Sequence, residues 1–247
     1  MSKVDNVVPG DKWEFDESVS ECFEDMLSRS IPQYEVMRNA VVTLIVKNIK
    51  HFDFTLLDIG CSDGLMLDRL VSAFENNRDY IAFQCGRFVG IDVSEPMLKK
   101  CKERFKGYEN VFIRNCNICT EFPFIIGNEP YDAITSVLSI QFTPIEYRQK
   151  IIQNVYDNLR EDGVFIMVEK VLGNTARLND IFVDSYYDMK RSNGYSQEQI
   201  DRKRLSLEGV LVPVTSDWNA DLLKQAGFKQ VDVFWRWMNF VGYIAIK

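Results

Sequence analysis

Three stretches of the chain carry residue types that could do chemistry. The first is Asp58-Ile59-Gly60-Cys61-Ser62-Asp63-Gly64. It follows the apolar run Thr55-Leu56-Leu57 and precedes Leu67, Leu70, Val71 and Phe74 at i, i+3, i+4, i+7 spacing, so it reads as a turn from strand to helix. Glycines at 60 and 64 let a backbone turn sharply and approach a ligand closely. The second is Asp92, which ends the apolar run Phe88-Val89-Gly90-Ile91. A carboxylate there can accept hydrogen bonds from both hydroxyls of a ribose. The third is a basic pair of segments, Lys190-Arg191-Ser192-Asn193-Gly194-Tyr195-Ser196 and Lys203-Arg204. Guanidinium is a planar, permanently charged fork suited to a carboxylate.

The spacing of the first loop narrows the ligand. A pyrophosphate favours Gly-x-Gly-x-x-Gly, with backbone N–H groups at a helix N-terminus. Here the glycines are Gly60-x-x-x-Gly64 and no P-loop lysine follows. A nucleoside with an amino-acid tail fits better.

The elements that must position these groups alternate. Helix signals run through Val36–Val46, then strands are expected at 55–59, 88–91, 110–114, 133–138 and 164–168. Ser94 can cap the helix carrying Met97, Cys101 and Phe105, and Pro96 fits its first turn. Pro144 opens the helix carrying Ile152, Val155 and Leu159. Repeated β-α alternation implies a parallel sheet with right-handed crossovers. Residues 171 to about 215 break the pattern: they are polar and helical, show no strand, and read as a functional insertion. A helix stopped by Gly227 and two strands, 231–235 and 241–246, close the chain. We expect one α/β domain over 1–247, with a helical cap over about 1–50 and a helical lid at about 171–215. Its sheet should be seven-stranded and mostly parallel, with an antiparallel C-terminal hairpin.

Composition excludes several classes. The net charge of −7 argues against a stand-alone nucleic-acid binder. His51 is the sole histidine and precedes a strand, so a hydrolase triad or a His-based metal site is hard to build. Cys22, Cys61, Cys85, Cys101, Cys116 and Cys119 are scattered, and Cys116-x-x-Cys119 lacks the second half of a zinc site. No metal is expected. With no apolar leader and no run long enough to span a bilayer, a reduced, soluble, cytoplasmic protein is expected.

On these residues the chain resembles the carboxy-S-adenosylmethionine synthases, on the class I methyltransferase layout. The likeness extends over nearly the whole length: Trp13-Glu14-Phe15-Asp16-Glu17, Ser30-Ile31-Pro32-Gln33-Tyr34, Asp58 to Ser62, Gln141-Phe142, Glu169-Lys170, and above all Lys190 to Ser196 with Lys203-Arg204. The resemblance implies conversion of S-adenosylmethionine and prephenate to carboxy-S-adenosylmethionine and phenylpyruvate. A proton leaves the sulfonium methyl, and the resulting ylide captures carbon dioxide released from prephenate. It implies that Tyr34, Gly60, Cys61, Ser62, Asp92, Val93, Asn117, Ile118 and Val137 line the cofactor. It implies that Arg204 is the catalytic and cofactor-binding cation that meets the added carboxylate, reaching in from a partner subunit of a homodimer. Prephenate is a dianion, and Lys170 or Arg191 is expected to help hold it. The product would pass to a separate carboxymethyltransferase that modifies a tRNA wobble uridine, or into a related carboxymethylation pathway. Two positions depart from the family: Asn117 stands where it has aspartate, and Val137 where it has asparagine. The alternatives are a conventional S-adenosylmethionine-dependent methyltransferase acting on a small molecule or RNA, and a non-catalytic scaffold. The scaffold has no use for the ribose recognition implied by Asp92.

Overall fold

A computed structural model describes residues 3–76, 86–123 and 129–247. Cys85 lies outside them. The chain begins with helices α1 (Glu17–Ser30) and α2 (Tyr34–Asn48). Alternation follows: β1 (Thr55–Ile59), α3 (Leu65–Asn76), β2 (Arg87–Asp92), α4 (Glu95–Arg104), β3 (Val111–Asn115), β4 (Tyr131–Val137), a short 3-10 turn (Ile140–Phe142), α5 (Ile145–Asp157) and β5 (Leu159–Leu172). The insertion folds as α6 (Ala176–Ser192) and α7 (Gln197–Ser206). Then come β6 (Val214–Thr215), α8 (Ser216–Ala226), β7 (Gln230–Trp237) and β8 (Phe240–Ile246).

Strand order along the sheet is β3-β2-β1-β4-β5-β8-β7, with β1 to β5 parallel and β8 antiparallel to both β5 and β7. Sequence order reverses beside β1: β2 and β3 lie on one side, β4 and β5 on the other. That switch point opens a crevice at the carboxyl ends of the strands.

Strand side chains alternate between two cores, as expected for a parallel sheet covered on both faces. Leu57, Ile59, Val89, Ile91, Ile134 and Phe165 pack with Ile151, Ile152 and Val155 of α5 and Leu222 and Leu223 of α8. Leu56, Phe88, Ala133, Val164 and Ile166 face the other way, onto Met37, Val41 and Ile45 of α2, Leu67 and Leu70 of α3, and Leu98 and Cys101 of α4. A third cluster joins Trp13, Val19, Phe23 and Met26 to Leu65 and Met97. It seats the N-terminal segment over the crevice.

Helix ends follow local chemistry. Ser94 accepts from the Met97 N–H, with Pro96 in the first turn of α4. Gly227 ends α8 at φ +116. Ser196 and Gln199 form a reciprocal capping box at α7.

The insertion departs from expectation in one respect. It is not free of strand: Val214 and Thr215 pair in parallel with Val171 and Leu172 of an extended β5, making an eighth strand. Two residues are too few to show a period of two, and Thr215 also caps α8 by accepting from the Trp218 N–H. Trp235 and Trp237 serve hairpin packing, with the Trp235 indole N–H donating to Gln33 Oε1 at 3.1 Å. Among the described residues no helix is long and apolar enough to cross a membrane.

Candidate active site

The loop after β1 closes by using its own donors. The Gly60 and Cys61 N–H groups donate to the Ile91 carbonyl at 2.8 and 2.9 Å, and Gly64 N–H to the Cys61 carbonyl at 2.8 Å. Ser62 N–H donates to Asp92 Oδ2 at 2.9 Å. These four amides are therefore committed within the protein and do not form a phosphate cradle. That agrees with a nucleoside ligand whose linker carries no phosphate.

The two glycines do different work. Gly60 has φ +72, and a Cβ there would lie 1.9 Å from Ser139 Oγ, so it allows β1 and the loop after β4 to meet. Gly64 has φ +87 and would strike Cys101 and Phe105, so it seats α3 against α4 and does not line the crevice.

Two carboxylates stand at the strand ends. Asp92 Oδ1 accepts from Ser94 N–H at 2.8 Å while Oδ2 holds Ser62, and each oxygen keeps a lone pair for a ribose hydroxyl. Burial raises its pKa. Asp58 Oδ1 accepts from Thr135 Oγ1 at 2.7 Å, and Oδ2 is buried with no partner. Burial, opposed by Thr135 and helped by Asp92, pushes Asp58 up to about 7. An orphan acceptor of this kind suits the ammonium group of an amino-acid tail.

The loop after β4 is pinned from behind. Arg148 of α5 is 2% exposed and donates to the carbonyls of Gln141, Thr143 and Val212 at 2.8–3.0 Å. It lies beside buried Glu169. Burial drives Glu169 up to about 8, while Arg148 and the backbone N–H groups of Ser139, Ile140 and Gln141 pull against it. The Lys170 N–H donates to Gln141 Oε1 at 2.8 Å. The Gln141-Phe142 and Glu169-Lys170 motifs are thus one device that sets the shape of this wall.

These walls enclose a cavity of about 480 Å³. Tyr34, Gly60, Cys61, Ser62, Asp92, Val93, Asn117, Ile118 and Val137 all line it. Asn117 Oδ1 accepts from Cys119 N–H at 3.0 Å and keeps one further lone pair. Arg204 does not line the cavity. Its guanidinium is paired with Glu208 at 3.0 Å on a half-exposed face. Successive helical residues point about 100° apart, so α7 can aim only one of Lys203 and Arg204 inward. It aims Lys203. Arg191 likewise pairs outside, with Asp188 and Gln197.

Sequence reasoning missed the N-terminal wall of Trp13, Phe15, Phe23 and Met26, which only long-range packing brings to the cavity. His51 is remote from it and pairs with Asp132 at 2.9 Å. Among the described residues no group of His, Cys, Asp and Glu could hold a metal ion, and Cys116 and Cys119 are free thiols at the cavity wall.

A methyltransferase-domain family model matches residues 57–165. The carboxy-S-adenosyl-L-methionine synthase of Nautilia profundicola is 37% identical over 236 residues, covering 96% of this chain and 95% of that one. This chain belongs to the carboxy-S-adenosyl-L-methionine synthase family. The Methylococcus capsulatus member is 34% identical over 96% of this chain and 94% of its own length. Solved structures share the fold at low identity. The Bacillus subtilis YcgJ protein has a TM-score of 0.60 at 13% identity, covering 85% of this chain and 98% of that one. Human N-acetylserotonin methyltransferase bound to S-adenosylmethionine has a TM-score of 0.57 at 12% identity, over 94% of this chain and 55% of that one. Like other members of the carboxy-S-adenosyl-L-methionine synthase family, the chain is a transferase that uses S-adenosylmethionine.

Proposed function

We propose that the chain moves a carboxyl group from prephenate to the methyl carbon of S-adenosylmethionine, giving carboxy-S-adenosylmethionine and phenylpyruvate. The observation that carries this reading is similarity to named carboxy-S-adenosyl-L-methionine synthases over 96% of the chain. That span takes in the N-terminal wall and the α6–α7 insertion as well as the methyltransferase core.

S-adenosylmethionine supplies a sulfonium-activated methyl group. Asp92 holds the ribose hydroxyls, and Asn117 and Ile118 border the adenine. Asp58 takes the ammonium of the amino-acid tail, with Gly60, Cys61 and Ser62 shaping the floor. Tyr34, Val93 and Val137 complete the lining. The atoms balance without an imidazole base. Prephenate loses its ring carboxylate as carbon dioxide and its ring hydroxyl as hydroxide, and the methyl proton joins the hydroxide as water. The protein's part is to hold two ligands in register and keep bulk water out.

Arg204 meets the added carboxylate only if a second copy of the chain delivers it, so the reading includes a homodimer. The product then serves a separate carboxymethyltransferase acting on a tRNA wobble uridine or a related acceptor. A net charge of −7 suits a protein that leaves RNA to that partner. Free cysteines fit a reducing cytoplasmic setting.

The test is turnover of S-adenosylmethionine with prephenate, followed by mass spectrometry. The expected product is the cofactor heavier by one carboxyl group, formed only with prephenate present. Formation of S-adenosylhomocysteine without dependence on prephenate would point to ordinary methyl transfer. Arg204→Ala should lower affinity for the carboxylated product more than for S-adenosylmethionine.

A further inference from the structure

We propose that Lys170 and Lys203 form the seat of the second substrate, a dicarboxylate with an apolar ring, in the cavity that also holds the glycine loop. The identity of that dicarboxylate as prephenate rests on the function proposed above; the subsite itself rests on geometry.

Lys170 sits late in β5 and lines the cavity. Its Nζ lies 4.5 Å from the centre of the Tyr186 ring and 6.0 Å from that of Phe240. None of the ion pairs formed among the described residues involves it. Lys203 of α7 also lines the cavity, with its side chain 15% exposed and its Nζ 4.2 Å from the Trp13 ring. Its nearest carboxylate is Asp5, at 4.0 Å. Asp5 is already engaged by the Tyr195 hydroxyl at 2.5 Å. A third ammonium stands behind them: Lys190, 4% exposed, lies 4.7 Å from the Tyr195 ring and 5.8 Å from Tyr186.

Among the described residues these three buried ammonium groups share one apolar region, in which Asp5 is the carboxylate set against Lys190 and Lys203 and none is set against Lys170. Burial lowers each of them, Lys170 and Lys190 to about 8 and Lys203 to about 7, and Lys190 adds repulsion to both of the others. A structural lysine at such depth normally has a paired carboxylate, because an uncompensated buried charge is costly. Here Asp5 offsets one charge of three. A ligand with two carboxylates would neutralise the excess left on the two lysines that reach the cavity. Trp13, Phe15, Phe142, Tyr186 and Phe240 supply apolar surface around them for a ring. Cation–π contacts hold the ammonium groups in place while leaving their N–H donors free for an anion.

The test compares Lys170→Met and Lys203→Gln with wild type in the full chain. Prephenate KM, and its Kd measured by calorimetry in the presence of S-adenosylhomocysteine, should rise roughly 10- to 100-fold in each variant. S-adenosylmethionine affinity should stay within about twofold of wild type, since uniform loss of one ligand's contacts does not reach the other. Lys170→Met should melt no lower than wild type, because it removes an unpaired buried charge. Unchanged prephenate affinity in a folded Lys170→Met protein would overturn the proposal. So would an equal loss of S-adenosylmethionine affinity, which would assign the lysines to the cofactor's own carboxylate. If wild type turns over no prephenate, the functional reading fails separately. The subsite is then decided by direct binding of prephenate and homophthalate to the S-adenosylhomocysteine complex, and binding of neither overturns it.

Discussion

Replacing Gly60 with alanine perturbs the point where β1 meets the loop after β4. The added Cβ would lie 1.9 Å from Ser139 Oγ and 2.5 Å from Ser139 Cβ, at a backbone φ of +72. The left-handed conformation costs an L-residue about 1–2 kcal/mol. Pushing Ser139 aside adds a further overpacking cost of about 1–3 kcal/mol. The sum, roughly 2–5 kcal/mol, corresponds in a chain of this size to a Tm loss of roughly 5–15 °C. Two readouts are needed: thermal unfolding, and S-adenosylmethionine affinity by calorimetry. The double variant Gly60→Ala with Ser139→Gly separates the two costs. It removes the two nearest atoms, leaving the Ser139 Cα at 3.7 Å. A double-mutant cycle should then show a favourable coupling of about 1–3 kcal/mol, the overpacking cost, with the backbone cost remaining. Additive effects, or a Gly60→Ala protein as stable as wild type, would refute the claim that this close approach builds the site.

Four further outcomes follow from the same geometry. Asp92→Ala should weaken S-adenosylmethionine and S-adenosylhomocysteine binding by roughly 100-fold in calorimetry, through two lost hydroxyl contacts and a released Ser62 amide. NAD should not bind either protein, since the loop amides are already used. Arg148→Ala should cost about 1–3 kcal/mol in chemical denaturation, because it leaves the carbonyls of Gln141, Thr143 and Val212 without their donor. The stability gain of Lys170→Met should depend on pH. The groups facing Lys170 are Lys190, Tyr186 and Phe240. Unfolding restores its pKa from about 8 to 10.5, so the unfolded state binds the proton more tightly. Below about pH 8 the lysine is charged in both states and the burial penalty is complete, about 3 kcal/mol. The gain should fade as pH rises from about 8 to 10.5, and a gain independent of pH would contradict the assignment.

The fold was legible because its signals are local. Leu67, Leu70, Val71 and Phe74 mark one face of α3, and all four are buried. Ser94 and Pro96 announce the start of α4, and Gly227 the end of α8. Strand β6 escaped because two residues have no period. The placing of Gly60 and Asp92 was legible for the same reason: both stand at strand ends, where the topology alone turns them toward the crevice. The other half was not. Trp13 and Phe23 reach the cavity only through packing on Leu65 and Met97, far along the chain. The choice between Lys203 and Arg204 depends on the rotation of α7 about its axis, which adjacent cations in a polar helix do not reveal. The resemblance assigns Arg204 to the site of a partner subunit, and within one chain the structure turns Lys203 inward.

The most direct measurement follows one carbon. Prephenate labelled with a heavy isotope in its ring carboxylate is incubated with the protein and S-adenosylmethionine, and the cofactor fraction is analysed by mass spectrometry with fragmentation. The account predicts a carboxylated cofactor carrying the label on the carbon attached to the former methyl group, with phenylpyruvate formed in equal amount. An unlabelled cofactor fraction, or S-adenosylhomocysteine as its sole product, would contradict it.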